Sequence, residues 1–279
     1  MDCCNRIDKK FFNAKKLSKK VFLIYITAGY PNLKITEELI LGFSKIGVDI
    51  VELGVPFSDP IADGPTIQKA SKEALDNNVN LSKIFKIVRK IRNKTEIGLI
   101  IMTYYNVIYQ YGLKRFIADC KKVGIDGIII PDLIPEESKY LVKLSKKHNV
   151  RLIFLLAPTS SLDRIKLVSK YSSGFIYCVS LTGVTGERSN LPEIRDYINK
   201  VRRHTDKPIA VGFGVSKSYQ VKKVLKYADG VIIGSAVIKE IERNINKKNL
   251  VENVLKFVSK LKEERERVNK VKKKRLSYV

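Results

Sequence analysis

VDIVELGVPFSDPIADGPTIQKA, residues 48–70, opens as a strand too apolar to leave either face in water. Strands of that kind belong to parallel sheets covered by helices. Inside the run stands Glu52, and burying a carboxylate costs several kcal/mol unless it has partners or a task. Glu52 is therefore the first residue to suspect of chemistry. A second carboxylate, Asp63, follows in a loop, with Pro56, Asp59 and Pro60 between the two and no base.

Working outward, the same kind of run recurs: VFLIYIT from Val21, DIVELG from Asp49, IGLIIM from Ile97, DGIIIP from Asp126, RLIFLLA from Arg151, GFIYCVS from Gly174, PIAVGFG from Pro208 and DGVIIG from Asp229. Between them lie segments with helical spacing, such as Ile35, Leu39 and Ile40, or Leu113, Phe116, Ile117 and Cys120. Strict alternation implies parallel strands joined by right-handed crossovers. Eight units fit a closed (β/α)8 TIM barrel, expected as one domain over 1–279 with a short basic N-terminal extension and a basic tail from about residue 262. An open doubly wound sheet is the alternative, weakened because ITAGYP, not GxGxxG, follows the first strand.

At 279 residues with 44% hydrophobic content, the chain can bury a full core, and no apolar run is long enough to span a bilayer. The N-terminus lacks the apolar core of a signal peptide, so no cleaved leader is expected. Cys3, Cys4, Cys120 and Cys178 lack zinc-ligand spacing and read as reduced thiols of a reducing compartment. The net charge of +25 is spread over most helices, with a dense run in LKEERERVNKVKKKR from Leu261. Without an aromatic-interleaved basic motif it reads as compositional drift in a Lys-, Ile- and Asn-rich chain, with no nucleic acid or membrane as partner.

In a barrel, catalytic groups lie where strands end, and Glu52 and Asp63 are on that side. The histidines, His148 and His204, precede strands and fall at the opposite end. With no lysine inside the strands and no cluster of His, Cys or carboxylates, neither a Schiff base nor a metal is expected. Glycine turns follow the last three strands: Gly183–Gly186, Gly212–Ser216 and Gly234–Ala236. Gly234 and Ser235 open a short helix, AVIKEI, whose amides would face the barrel mouth and hold a phosphate. Acid–base chemistry by carboxylates on a phosphorylated molecule is what remains.

VELGVPFSDPIADGPTIQ, with ITAGYP before it and GVTG, GFGVS and GSAVI after it, closely resembles the tryptophan synthase alpha subunit family, from about Phe12 to about Lys260. The resemblance implies retro-aldol cleavage of indole-3-glycerol phosphate to indole and glyceraldehyde 3-phosphate. It also implies no cofactor in this chain and a beta-subunit partner that carries pyridoxal phosphate, in an alpha2beta2 heterotetramer. Glu52 and Asp63 become the catalytic pair, and Tyr177 a neighbour that positions Glu52. Tyr25, Met102, Tyr104, Ile129 and Phe213 would line an indole slot, and Gly186, Gly214, Gly234 and Ser235 the phosphate site. Residues Pro56–Asp63 and Leu181–Asn190 would be covers, with Thr185 linking the second to Asp63. Some members carry Asp where Tyr30 stands and Arg where Leu181 stands, which bears on coupling to the partner. Rival readings are another phosphate-binding barrel isomerase or lyase, a non-catalytic allosteric homologue, and a nucleic-acid binder. The Lys/Ile/Asn bias suggests a plastid-encoded or bacterial chain, acting in a plastid stroma or a cytoplasm.

Overall fold

The computed structural model describes residues 5–179, 191–212, 214 and 217–276. Among them, nine strands form one sheet: β1 (Val21–Thr27), β2 (Ile50–Gly54), β3 (Gly98–Met102), β4 (Gly127–Ile129), β5 (Arg151–Ile153), β6 (Leu155–Leu156), β7 (Ile176–Val179), β8 (Ile209–Gly212) and β9 (Gly230–Ile233). Their order is β5-β4-β3-β2-β1-β9-β8-β7-β6, parallel throughout. The two strands at its ends, β5 and β6, are separated along the chain by Phe154 alone, so the order returns on itself. The fold is the (β/α)8 barrel, with the fifth apolar run divided in two. The division has a local cause: the Phe154 N–H donates to Ser172 Oγ (3.3 Å) rather than to a neighbouring strand.

Twelve α-helices accompany the strands in the described residues: α1 (Arg6–Lys16), α2 (Leu33–Lys45), α3 (Pro65–Asp76), α4 (Leu81–Arg92), α5 (Tyr105–Tyr111), α6 (Leu113–Val123), α7 (Lys139–Lys147), α8 (Leu162–Tyr171), α9 (Leu191–Arg202), α10 (Ser218–Leu225), α11 (Ser235–Asn244) and α12 (Leu250–Leu276). Side-chain caps start several of them, as where the Ile35 N–H donates to Asn32 Oδ1 (2.9 Å) and the Lys83 N–H to Asn80 Oδ1 (3.1 Å). The basic extension expected at the N-terminus is α1, and it belongs to the core. Its Ile7 is fully buried against Gly127 and Gly174, plugging the end of the barrel where strands begin. The Asn5 amide ties the start of this plug to the carbonyls of Asp126 and Asn149 (2.9 Å each). At the other terminus, the stretch expected as a tail begins anchored. Lys262 Nζ donates to the Ile46 carbonyl, and Arg265 Nη1 reaches Asp49 Oδ2 (2.7 Å).

Three strands are preceded by an aspartate, and all three aspartates do the same work at this floor of the barrel. Asp49 accepts the Phe22 N–H, Asp126 the Leu99 N–H and Asp229 the Ile209 N–H, each at 2.9 Å. Each clamps its own strand to a neighbour, and each is neutralised by an arginine: Arg265, Arg92 and Arg202 respectively. The Asp126 clamp is the most deeply buried, with Arg92 Nη2 at 2.8 Å and Arg6 Nη1 at 3.1 Å. Asp126→Ala should therefore cost about 3–5 kcal/mol, because it strands the Arg92 charge in the interior. Urea unfolding measures this, and a wild-type midpoint would mean that the clamp carries no stability.

Candidate active site

Strand register stacks the inward side chains in levels below the mouth. Tyr25, Glu52 and Ile100 share one level, and Thr27, Gly54 and Met102 the next, with Ile129 beside Met102. Glu52 is 0% exposed, and neither of its carboxylate oxygens has a hydrogen-bond partner. Burial alone raises its pKa to about 8. It is thus a neutral acid at pH 7 that ionises just above.

Two phenols flank this carboxyl, and two glycines make room for them. A Cβ on Gly54 would stand 2.0 Å from Tyr25 Oη, and one on Gly212 would stand 2.3 Å from Tyr177 Oη. No other residue type fits beneath either hydroxyl. Burial holds both phenols well above their ordinary pKa, and carboxylate charge adds to it, chiefly from Asp63 at Tyr25 and from Glu52 at Tyr177. Both therefore remain O–H donors across the working pH range, within electrostatic reach of the two carboxylates. Tyr177, expected beside Glu52, is buried at 4% exposure and feels the Glu52 charge.

Asp63 sits in the loop after β2, half-buried. Tyr104 donates its hydroxyl to Asp63 Oδ2 (2.9 Å) and accepts the Ala62 N–H (3.0 Å). The Phe57 ring stacks on Tyr104 at 5.0 Å, and the Phe57 N–H donates to Ser71 Oγ (3.1 Å). Gln68 Nε2 donates to the Asp63 carbonyl at 2.8 Å. Burial raises the Asp63 pKa, and the Tyr104 hydrogen bond opposes that shift. Asp63 Oδ1 has no partner. Tyr104, expected as an apolar wall, is thus also the polar tether of the second carboxylate. Met102 and Ile129, expected to line an indole slot, are buried apolar side chains.

On the other side of Tyr25 lies the helix start expected for phosphate. Gly234 is the N-cap of α11 and Ser235 its first residue. The first turn of an α-helix leaves N–H groups without intrahelical acceptors, and these face anions favourably. A Cβ on Gly234 would lie 3.3 Å from Tyr25 Cβ, so the helix start and the carboxyl level touch through one side chain. Gly214 follows β8 with φ +72°. Thr185, Gly186, Phe213 and the Leu181–Asn190 cover lie outside the described residues.

Sequence reading missed Gly54 and Gly212 as shaping residues; the signal available was a glycine closing each strand, in ELG and AVG. His148 caps the C-terminus of α7 and His204 follows α9, both at the floor. Tyr30 is buried. Among the described residues no group of three or more His, Cys, Asp or Glu side chains could hold a metal ion.

The family model for the tryptophan synthase alpha chain matches residues 11–266. The chain is 46% identical over 260 residues to the tryptophan synthase alpha chain of Thermoanaerobacter sp., covering 93% of this chain and 99% of that one. To the alpha chain of Alkaliphilus metalliredigens it is 45% identical, covering 93% and 97%. The crystal structure of tryptophan synthase subunit alpha from Legionella pneumophila superposes with a TM-score of 0.89 at 35% identity, covering 94% of this chain and 99% of that one. With the family model matched over most of the chain and a barrel superposed over nearly its whole length, the chain belongs to the tryptophan synthase alpha chain family.

Proposed function

We infer that this chain cleaves indole-3-glycerol phosphate to indole and glyceraldehyde 3-phosphate, as a lyase of tryptophan biosynthesis. The observation that carries the reading is the unpartnered, fully buried carboxyl of Glu52, on the strand that leads into the Asp63 loop. The carbon–carbon bond breaks when indole C3 gains a proton and the adjacent side-chain hydroxyl loses one. Glu52, protonated near neutrality, is suited to give the first proton and, once ionised, to take the second. Protonation at C3 leaves positive charge on the ring nitrogen, and Asp63 is the acceptor for that N–H. The electron pair of the broken bond returns to the ring, so indole is its own electron sink. Tyr177 and Tyr25 confine Glu52, Tyr104 holds Asp63, and Met102 and Ile129 supply apolar wall. The amides at Gly234 and Ser235, with Gly214, are assigned to the phosphate. The alpha chain family carries no cofactor of its own; pyridoxal phosphate belongs to the beta subunit.

The family implies a beta-subunit partner, and we assign the assembly as alpha2beta2. Apolar side chains exposed around the mouth suit that contact: Ile61 (83% exposed), Tyr109 (62%) and Ile134 (44%). The relatives described above are bacterial, which favours a cytoplasmic setting and lends no support to a plastid. No helix in the described residues is long and apolar enough to cross a membrane.

The direct test is indole formation from indole-3-glycerol phosphate, with and without a beta subunit, in the presence of chelator; no indole under any of these conditions ends the reading. Glu52→Gln should lose ~10²–10⁴-fold in turnover while substrate affinity stays near wild type. Near-normal turnover would remove Glu52 from the chemistry.

Two further outcomes follow from the geometry. The folded-state pKa of Glu52 is raised from 4.5 to about 8, so between those values the folded chain holds a proton that the unfolded chain has lost. Stability thus falls as pH rises through that window. Glu52→Gln should be more stable than the wild type by a margin that grows to a few kcal/mol by about pH 8 and then stays level, read from urea midpoints across pH. A constant margin would contradict the buried acid. Tyr104→Phe should lower turnover about tenfold, the worth of one hydrogen bond to a charged acceptor, and Asp63→Asn should lower it further. Equal effects of the two changes would deny Tyr104 a role confined to positioning.

A further inference from the structure

Beside the Glu52 carboxyl and Asp63 Oδ1, both buried without a partner, stands a third polar group that the fold leaves poorly satisfied. It is the hydroxyl of Tyr25, a residue only 6% exposed. Among the described residues its hydrogen-bonding neighbour is Thr27 Oγ1 at 3.5 Å, beyond the roughly 2.5–3.0 Å of a sound O–H···O bond. Burying a hydroxyl without a good bond is costly, and phenylalanine would fill the same space without that cost. The backbone nevertheless makes room for the oxygen, since a Cβ on Gly54 would stand 2.0 Å from it.

The position of this phenol is specific. Tyr25 pairs with Glu52 across β1 and β2, and its ring leans toward the mouth, so that Oη reaches Gly54, one level above the carboxyl. The root of the side chain abuts the start of α11: a Cβ on Gly234 would lie 3.3 Å from Tyr25 Cβ and 3.4 Å from Cδ1. The side chain therefore spans the interval between the first turn of α11 and the strand that carries Glu52. A substrate with its phosphate on α11 and its indole at Glu52 and Asp63 has to lay its glycerol carbons along that interval. The carbon joined to indole C3 falls at the carboxyl end, where the hydroxyl is. Burial, then the charges of Asp63 and Glu52, hold the phenol protonated. Tyr177, the other buried phenol, is on β7, which does not neighbour β2.

We propose that the Tyr25 hydroxyl is a catalytic donor to the substrate, hydrogen bonded to the oxygen on the carbon joined to indole C3, the oxygen that becomes the aldehyde. The inference rests on the cleavage proposed above and adds a group to it. In that step the proton of the substrate hydroxyl passes to ionised Glu52, and the O–H electron pair becomes the carbonyl π bond. The carbon–carbon pair returns to the ring already protonated at C3. Negative charge builds on the oxygen as its proton leaves, and a fixed O–H dipole in a buried site stabilises it without reorganisation. Tyr25 keeps its own proton throughout. Glu52 cannot fill this role, because the carboxylate that receives the proton repels the charge left behind.

Tyr25→Phe removes one oxygen and keeps the ring, and steady-state indole formation from indole-3-glycerol phosphate reads the effect. Its kcat should fall about 10²-fold, the lower end for losing one oxyanion donor, with KM near the wild-type value. Indole-3-propanol phosphate, which has the ring and the phosphate but neither glycerol hydroxyl, should inhibit both proteins equally, because the lost bond is one it cannot make. The urea midpoint should match or exceed that of the wild type, since no sound bond in the fold is given up. The inflection of kcat/KM with pH that belongs to Glu52 in the free protein should stay in place. An upward shift of that inflection would mean that the phenol supports ionised Glu52 instead of substrate. A wild-type kcat, a change in KM alone, weaker inhibition of the variant by the propanol analogue, or a lowered urea midpoint would each overturn the proposal. A wild-type chain that forms no indole refutes the cleavage and this inference with it, whereas wild-type indole with an unaffected variant removes Tyr25 alone.

Discussion

The Glu52 carboxyl is buried with neither oxygen hydrogen bonded, and the rest of the mouth is arranged around that unmet demand. A buried arginine beside it would have made it a permanent anion, unable to give a proton to carbon near neutrality. Leaving it unpaired keeps the proton on, with a pKa of about 8, close to the pH at which an acid–base group is most effective. The cost falls on stability, since the charged form is disfavoured in the fold. Tyr25 and Tyr177 stand near enough to feel its charge, yet neither supplies a hydrogen bond to it in this structure.

The same residue type meets the opposite fate at the other end of the barrel. Asp49, Asp126 and Asp229 each accept a strand N–H and hold an arginine, which makes them register clamps rather than acids. Asp63 lies between these extremes, with one oxygen on Tyr104 and one unpartnered. Partners, more than burial, divide the carboxyl groups of this protein into those that hold the fold and those available to a substrate. The division follows the barrel's polarity, because strand starts face a floor rich in helix-end cations while strand ends face loops.

Much of this was legible in the chain itself. Eight apolar runs mark the strands, and the aspartates that begin three of them are the clamps. Glu52 stood out because a carboxylate inside so apolar a run has to be explained. The split of the fifth run was not legible, since it depends on Ser172 capturing one amide across the barrel wall. Nor was the bond from Tyr104 to Asp63, which joins residues far apart in sequence through a loop whose path is set by Phe57 stacking. The first helix was read as a basic extension because its cations, Arg6 with Lys9, Lys10, Lys15 and Lys16, outnumber its apolar residues. Ile7 and Phe11, spaced one turn apart and both buried, carry the signal that counted.

Net charge shows how topology changes the meaning of composition. Read along the sequence, +25 is a diffuse bias in favour of lysine. Folded into parallel strands, the same lysines are sorted by helix direction, and each crossover delivers its last turn to one face. A helix end favours a cation by only about 0.3–1 kcal/mol, so no single position demands lysine strongly. Eight helix ends brought to one surface create a field that none has alone. On the floor those cations stand in solvent or on the clamp aspartates, with Asp8, Glu96 and Asp206 interspersed, so what composition offered as a sign of a partner is largely spent on helix ends and strand clamps.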